Sequence, residues 1–211
     1  MMELKHQVKS SVKDGDLIEK RRDQIIQGAV RLFKQKGFHR STTREIAKEA
    51  GFSIGTLYEY IRTKEDVLYL VCDTIYNEVQ HRLSGIADEE ATIDGLTRAI
   101  DVYYRLIDDL SDEFVVMYQE SKSLPKNALE YVLEKERGMT GLFETLLRAC
   151  SDAGELRITE NSIGLAAHHI VIQGQMWAFR RWELKQMYTL DGYIEFQTDQ
   201  LLNGLVKPAS N

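Results

Sequence analysis

The sequence predicts an all-α fold, with a small three-helix head followed by a larger helical body. Three observations point there. Across 211 residues there are just 2 prolines and 14 glycines. Apolar residues recur at three- and four-residue spacing rather than alternating. The breaks that do occur, at Gly37, Gly51, Pro125 and Gly154, divide the chain into helix-length segments. The length falls between one large domain and two small ones and suffices to bury an apolar core.

Taken in order, residues 1–17 are polar and weakly patterned and read as a flexible basic arm, residues 18–66 as the head and 67–211 as the body. Ile25, Ala29, Leu32 and Phe33 make one helical face, and Gly37 ends that helix as a C′ residue. In "FHRSTTREIAKEAG", Ser41 or Thr42 can cap a new helix, with Glu45 three residues past Thr42 in a capping box. Ile46, Ala47 and Ala50 supply its buried side before Gly51 stops it. Ser53 then caps a second short helix running to about Ile61. Two short helices joined by a glycine-containing turn form a helix-turn-helix. Neither is stable alone, because isolated helices below about 12 residues are marginal in water. Thr63 caps a long helix to Leu83, apolar at Val67, Leu68, Leu70, Val71, Ile75 and Val79. Gly85 and "ADEEAT" make a turn. Further helices are expected at about 92–109, 112–122, 126–153, 160–184 and 190–206.

Charge is uneven along the chain. Residues 1–66 carry 14 Lys and Arg against 10 Asp and Glu, a net +4, which leaves −10 of the total −6 for the remainder. A basic head on an acidic body suits a head that approaches a polyanion, although an unevenly solvated surface gives the same count. Cys72 and Cys150 have no metal-ligand or redox spacing, so reduced buried thiols and a cytoplasmic location are expected. No apolar run marks a signal peptide or a membrane span. There is no nucleophile–base constellation, phosphate-binding glycine loop or paired metal motif, so an enzyme is not expected and no cofactor is implied.

The second helix of such a motif enters the DNA major groove and offers its N-terminal residues to base edges. Gly55 permits close backbone approach, Thr56 offers a hydroxyl, and Tyr58 reaches toward phosphate oxygens. Arg44 has the fork that matches guanine O6 and N7. Lys64 at a helix start suits a phosphate. The stretch "TTREIAKEAGFSIGTLYEYIRTKEDVL", with the preceding "AVRLFKQKGF", resembles the DNA-binding signature of the tetracycline-repressor (TetR-like) family over about residues 20–70. The resemblance implies DNA contacts from Thr43, Arg44, Ile54, Gly55, Thr56, Tyr58, Tyr60 and Lys64, and Ser53 joins this set as the cap beside them. For Tyr60 the alternative is a core aromatic that seals the motif.

In the body, Tyr103, Phe114, Met117, Tyr118, Phe143, His168, Gln173 and Trp177 form a candidate effector-binding set, apolar and aromatic with a few polar anchors. Core packing is the ordinary reading of the aromatics. His168 and His169 project about 100° apart on a helix and do not make a metal pair. The last two helices resemble the family's dimerisation pair. Gly164, Ala167, Gly174 and Ala178 would admit a partner helix, with Ile170, Val171 and Trp177 supplying area and Tyr193, Ile194, Leu201, Leu202 and Leu205 facing them. A monomeric core built from the same helices is the alternative. The expected protein is a homodimeric, ligand-responsive transcriptional repressor that binds a near-palindromic operator and is released by a small apolar or aromatic effector. The competing reading keeps DNA binding but places control with a protein partner or with no effector.

Overall fold

Local chemistry starts most of the helices where the sequence places them. The computed structural model describes residues 8–84 and 92–205, so residues 1–7 of the expected arm, most of the "ADEEAT" turn and the side chain of Leu205 lie outside it. Helix α1 (Gly15–Lys36) is capped by Asp14, whose carboxylate accepts from the Leu17 N–H, and it ends at Gly37, where φ is +82°. Helix α2 (Thr43–Glu49) carries the full capping box between Thr42 and Glu45. Gly51, at φ +78°, turns the chain toward α3 (Ile54–Tyr60), capped by Ser53. Ahead of α4 (Lys64–Leu83), the Asp66 carboxylate accepts from the Arg62 and Thr63 N–H groups while the Thr63 hydroxyl accepts from the Asp66 N–H. The described part of the arm is not free. Residues 15–17 are helical, and Ser10 and Ser11 are bonded to the Glu59 carbonyl.

The Glu45 cap predicts an acid response. Its carboxyl is lowered to about 2 by hydrogen bonds from Lys36 and from the Thr42 hydroxyl and N–H. A depressed pKa contributes stability above the ordinary value of 4.5 and loses it as pH falls toward 2. Urea melts followed by circular dichroism should show weakening over that window, and Glu45→Gln should flatten part of it. An unchanged pH slope in the variant would refute the linkage.

Contacts divide the chain into two compact units. The first comprises residues through Ile75 together with Asp112–Glu134, and the second comprises Tyr76–Ser111 with the chain from Lys135 onward. Residues 112–134, expected in the body, therefore pack within the first unit. There the Phe38 N–H donates to Glu120 at 3.2 Å, Lys34 pairs with Asp112 at 2.5 Å, and the Tyr131 hydroxyl donates to buried Asp73 at 2.6 Å. Helix α6 (Ser111–Glu120) and the first part of α7 (Lys126–Asp152) supply this addition.

In the second unit, α5 (Ile93–Asp109) packs against α8 (Glu160–Phe179) and α10 (Leu190–Leu205). The contact is close at Gly174, where a methyl group would sit 2.8 Å from Ile107 Cδ1 and Tyr104 Cε1. Gly174 thus lets α8 approach α5 of its own chain. Ala167, Ile170, Val171, Trp177 and Ala178 turn inward with it, and so do Tyr193 and Ile194. The outward stripe of α8 is instead Leu165, Ile172 and Met176, joined by Phe196 on α10.

The helix expected over 160–184 is interrupted at Arg180 (φ −109°, ψ 19°), and α9 (Arg181–Met187) starts afresh. The cause is tertiary. Asp108 at the end of α5 accepts from the Trp177 indole at 2.8 Å and pairs with Lys185 at 2.6 Å, while the Arg181 guanidinium donates to Ser111. Burial opposes the charge on Asp108, but Lys185 and Trp177 outweigh it, so its carboxyl lies below the usual range.

Candidate functional site

The head holds α3 by buried Ile46, Ala47, Leu57, Tyr60 and Ile61, which leaves the opposite face of the motif outward. On that face Arg44 and Gly55 are exposed, Thr43, Ile54 and Thr56 are half-buried, and Tyr58 is 50 % exposed. A hydrogen bond of 3.1 Å joins the Thr43 and Tyr58 hydroxyls across the two short helices. A second, of 3.0 Å, joins the exposed Ser53 to Thr56, whose N–H the Ser53 hydroxyl also caps. The hydroxyls are thus preset, and Arg44 stands exposed in the first turn of α2. Two of the expected contact residues are placed differently from the others. Tyr60 is 4 % exposed and packs the motif from within, so its ring takes no part in the outward face. The Lys64 ammonium turns back to donate to the Phe38 carbonyl at 2.8 Å and the Ser41 carbonyl at 3.1 Å, over the Phe38 ring at 4.2 Å. Its visible work is to hold the loop before α2.

The expected effector set is divided between the two units. Phe114, Met117 and Tyr118 belong to the first unit; the first two are buried and Tyr118 is exposed. His168 and Gln173 lie on the solvent side of α8, away from the buried aromatics of that unit. Tyr103 and Phe143 pack edge to face at 5.4 Å, and Trp177 is engaged with Asp108 and stacked near Tyr193 at 5.0 Å. The second unit has two concavities of interest. One, about 330 Å³, is an open groove on the α8–α10 face that includes Leu165, His169, Gln173, Gln197 and Leu201. The other, about 290 Å³, lies between the end of α4 and α7, among Tyr76, Val79, Gln80, Lys135, Gly138, Met139 and Leu142.

Beside the second cavity is a polar cluster that the sequence reading missed. Glu136 accepts from the Tyr76 hydroxyl at 2.9 Å and from the Gln175 amide at 3.2 Å. Gln175 is 2 % exposed. Among the described residues the Tyr103 hydroxyl is buried without a hydrogen bond of good geometry; burial, then the Glu136 charge, pushes its pKa well up, and the nearby Gln175 amide offsets part of that shift. A buried polar group left unsatisfied is costly, which makes this hydroxyl a natural anchor for a bound polar group. Gln175 had a sequence signal, since it is an amide on the inward apolar stripe with Val171 and Ala178. Glu136 had none, because "LEKERG" reads as a solvated helix face.

Residues 25–69 match the family described as bacterial regulatory proteins, tetR family, and residues 89–176 match a tetracyclin repressor-like C-terminal domain. The HTH-type transcriptional regulator HbdR of Aromatoleum sp. (strain CIB) is 31% identical over 192 residues, which span 89% of this chain and 82% of HbdR. The chain belongs to the TetR family. As a TetR-family protein it is a transcriptional regulator and not an enzyme, with an N-terminal helix-turn-helix and an all-helical C-terminal domain. A TetR-family regulatory protein from Rhodococcus RHA1 superposes with a TM-score of 0.75 at 25% identity, covering 86% of this chain and 97% of that one. AibR, solved with isovaleryl coenzyme A and operator DNA, has the same fold, with a TM-score of 0.75 at 17% identity over 86% of this chain and 98% of its own. Among the described residues no helix is long and apolar enough to cross a membrane.

Proposed function

We propose that the protein is a homodimeric, ligand-responsive repressor acting in the cytoplasm. Its two heads engage half-sites of a near-palindromic operator, and a small apolar or aromatic effector releases them. The carrying observation is the outward face of α2 and α3, where Arg44, Thr43, Ser53, Thr56 and Tyr58 are displayed from a motif whose packing is complete behind them. Dimerisation is supported by the outward apolar stripe of Leu165, Ile172 and Met176 on α8, with Phe196 exposed on α10. A second copy of the chain covers it in this reading, α8 and α10 meeting α8 and α10 about a two-fold axis.

The effector site is assigned to the cavity between α4 and α7, with Met139, Val79 and Leu142 for an apolar group and Glu136, Gln175 and Tyr103 behind them for a polar one. AibR, of the same fold, binds isovaleryl coenzyme A and operator DNA, and the short apolar isovaleryl group is the part of that ligand that resembles the effector proposed for this chain.

The test of the DNA face uses the duplex directly upstream of the protein's own coding sequence. Arg44→Ala should weaken binding by about 1–3 kcal/mol and relax preference at one base position. Tyr58→Ala should also weaken it, with helicity and assembly unchanged in both. Unaltered anisotropy titrations and footprints for both variants would remove α2 and α3 as the reading surface.

A further inference from the structure

We propose that residues 8–13 are a fixed part of the DNA-binding head, and that Lys9 on this strap and Arg62 beyond α3 together seat a backbone phosphate of duplex DNA. The proposal rests on the DNA-binding reading above and adds a contact outside the helix-turn-helix.

The strap is built onto the carbonyl end of α3. The last carbonyls of a helix have no partner within it, and here the strap supplies them. The Ser11 N–H donates to the Glu59 carbonyl at 2.9 Å, and the Ser10 hydroxyl donates to the same oxygen at 2.8 Å. Arg22 of α1 bolts the assembly together. Its guanidinium donates to the Val8 carbonyl at 2.6 Å and, through two nitrogens, to the Tyr60 carbonyl at 3.2 and 3.3 Å. Burial lowers the Arg22 pKa, with Asp66 opposing, as expected of a guanidinium used as an internal joint. Lys9 therefore leaves from a backbone that α1 and α3 both hold.

Lys9, Ser11, Tyr58, Ile61 and Arg62 line a concavity of about 370 Å³. Its Tyr58 wall is the same ring whose hydroxyl meets Thr43 on the outward face, so the concavity continues that face. Both cations are exposed, and among the described residues neither pairs with a carboxylate. Of the nearby acids, Asp66 is held by the Arg62 and Thr63 N–H groups, and Glu59 is exposed on α3. Two cations and a hydroxyl-bearing ring beside a recognition helix suit a phosphodiester, which fixes position without reading sequence. They also supply the charge that Lys64 directs inward.

The experiment compares anisotropy titrations of the full-length protein with the upstream duplex and with a mixed-sequence duplex of equal length, over a series of salt concentrations. Lys9→Gln/Arg62→Gln should weaken binding to both duplexes alike and reduce the slope of log K against log salt by about 0.9 for each head engaged. Lys9→Arg/Arg62→Lys should restore the slope. Arg44→Ala should lose discrimination between the duplexes instead. Both substituted side chains are exposed, and an unchanged thermal melt confirms that folding is intact. An unaltered slope in the Gln variant, with Arg44→Ala still losing discrimination, overturns the phosphate seat and leaves the recognition face standing. A loss confined to the upstream duplex overturns it too, because it marks base reading. A wild-type protein that binds neither duplex overturns both readings.

Discussion

Gly174→Arg is expected to unfold the second unit. Even a methyl group at this position would lie 2.8 Å from Ile107 and Tyr104, and the rest of an arginine would have to enter the α5–α8 contact. A buried charge without a partner costs about 3–5 kcal/mol, a large share of the 5–15 kcal/mol, roughly, by which domains are stable. Gly174→Ala is the milder control, with overpacking worth about 1–3 kcal/mol. Thermal melts by circular dichroism should show the first variant without a cooperative transition for this unit and the second with a lowered one. A wild-type melt for Gly174→Arg would mean that α8 can stand off from α5 at no cost. Any loss of assembly in this variant is secondary to lost folding, because the residue faces its own chain.

The outward stripe carries the other large effect. Leu165→Glu/Ile172→Glu should leave the fold intact, since both side chains are 48 % exposed or more in the single chain, and should separate the two copies. A head alone has a small net positive charge and one short recognition helix, so tight binding needs the second head tethered at high effective concentration. Losing that tether should lower operator affinity by about 10²–10⁴-fold, although neither position touches DNA in the proposed arrangement. Sedimentation velocity of wild type and variant comes first, followed by titration with the upstream duplex. A wild-type monomer that binds tightly, or a variant dimer with unchanged affinity, would end the two-headed reading.

The features legible in the sequence are those whose cause lies within a few residues. Thr42 and Glu45, Ser53 before α3, Thr63 before α4 and the stop at Gly37 are all local, and each forms as its spacing suggests. What escaped depends on residues far along the chain. The break at Arg180 follows from Asp108, which is 69 residues before Trp177. Lys64 turns inward because the Phe38 and Ser41 carbonyls, 26 and 23 residues earlier, come within its reach. On α8 the spacing identifies which residues share a face, but both faces are apolar, so periodicity alone does not say which one meets α5. Close approach at Gly174 decides that. The polar cluster escaped for a related reason. Aromatic content marks places where area is buried, whereas the polar cluster at Glu136, Gln175 and Tyr103 arises from three separate helices.

The two tryptophans on either side of the Arg180 break give the protein a built-in optical assay. They are the chain's entire complement, and both lie in the second unit. Trp177 is 1 % exposed, with its indole N–H on Asp108, whereas Trp182 is 63 % exposed. Their emission should therefore separate into a blue, quencher-resistant component and a red component open to acrylamide or iodide. The blue component follows the packing of α8 against α5 and α10. Melting of the helix-turn-helix unit passes unseen at this wavelength, so a difference between fluorescence and circular dichroism transitions measures how independently the two units unfold.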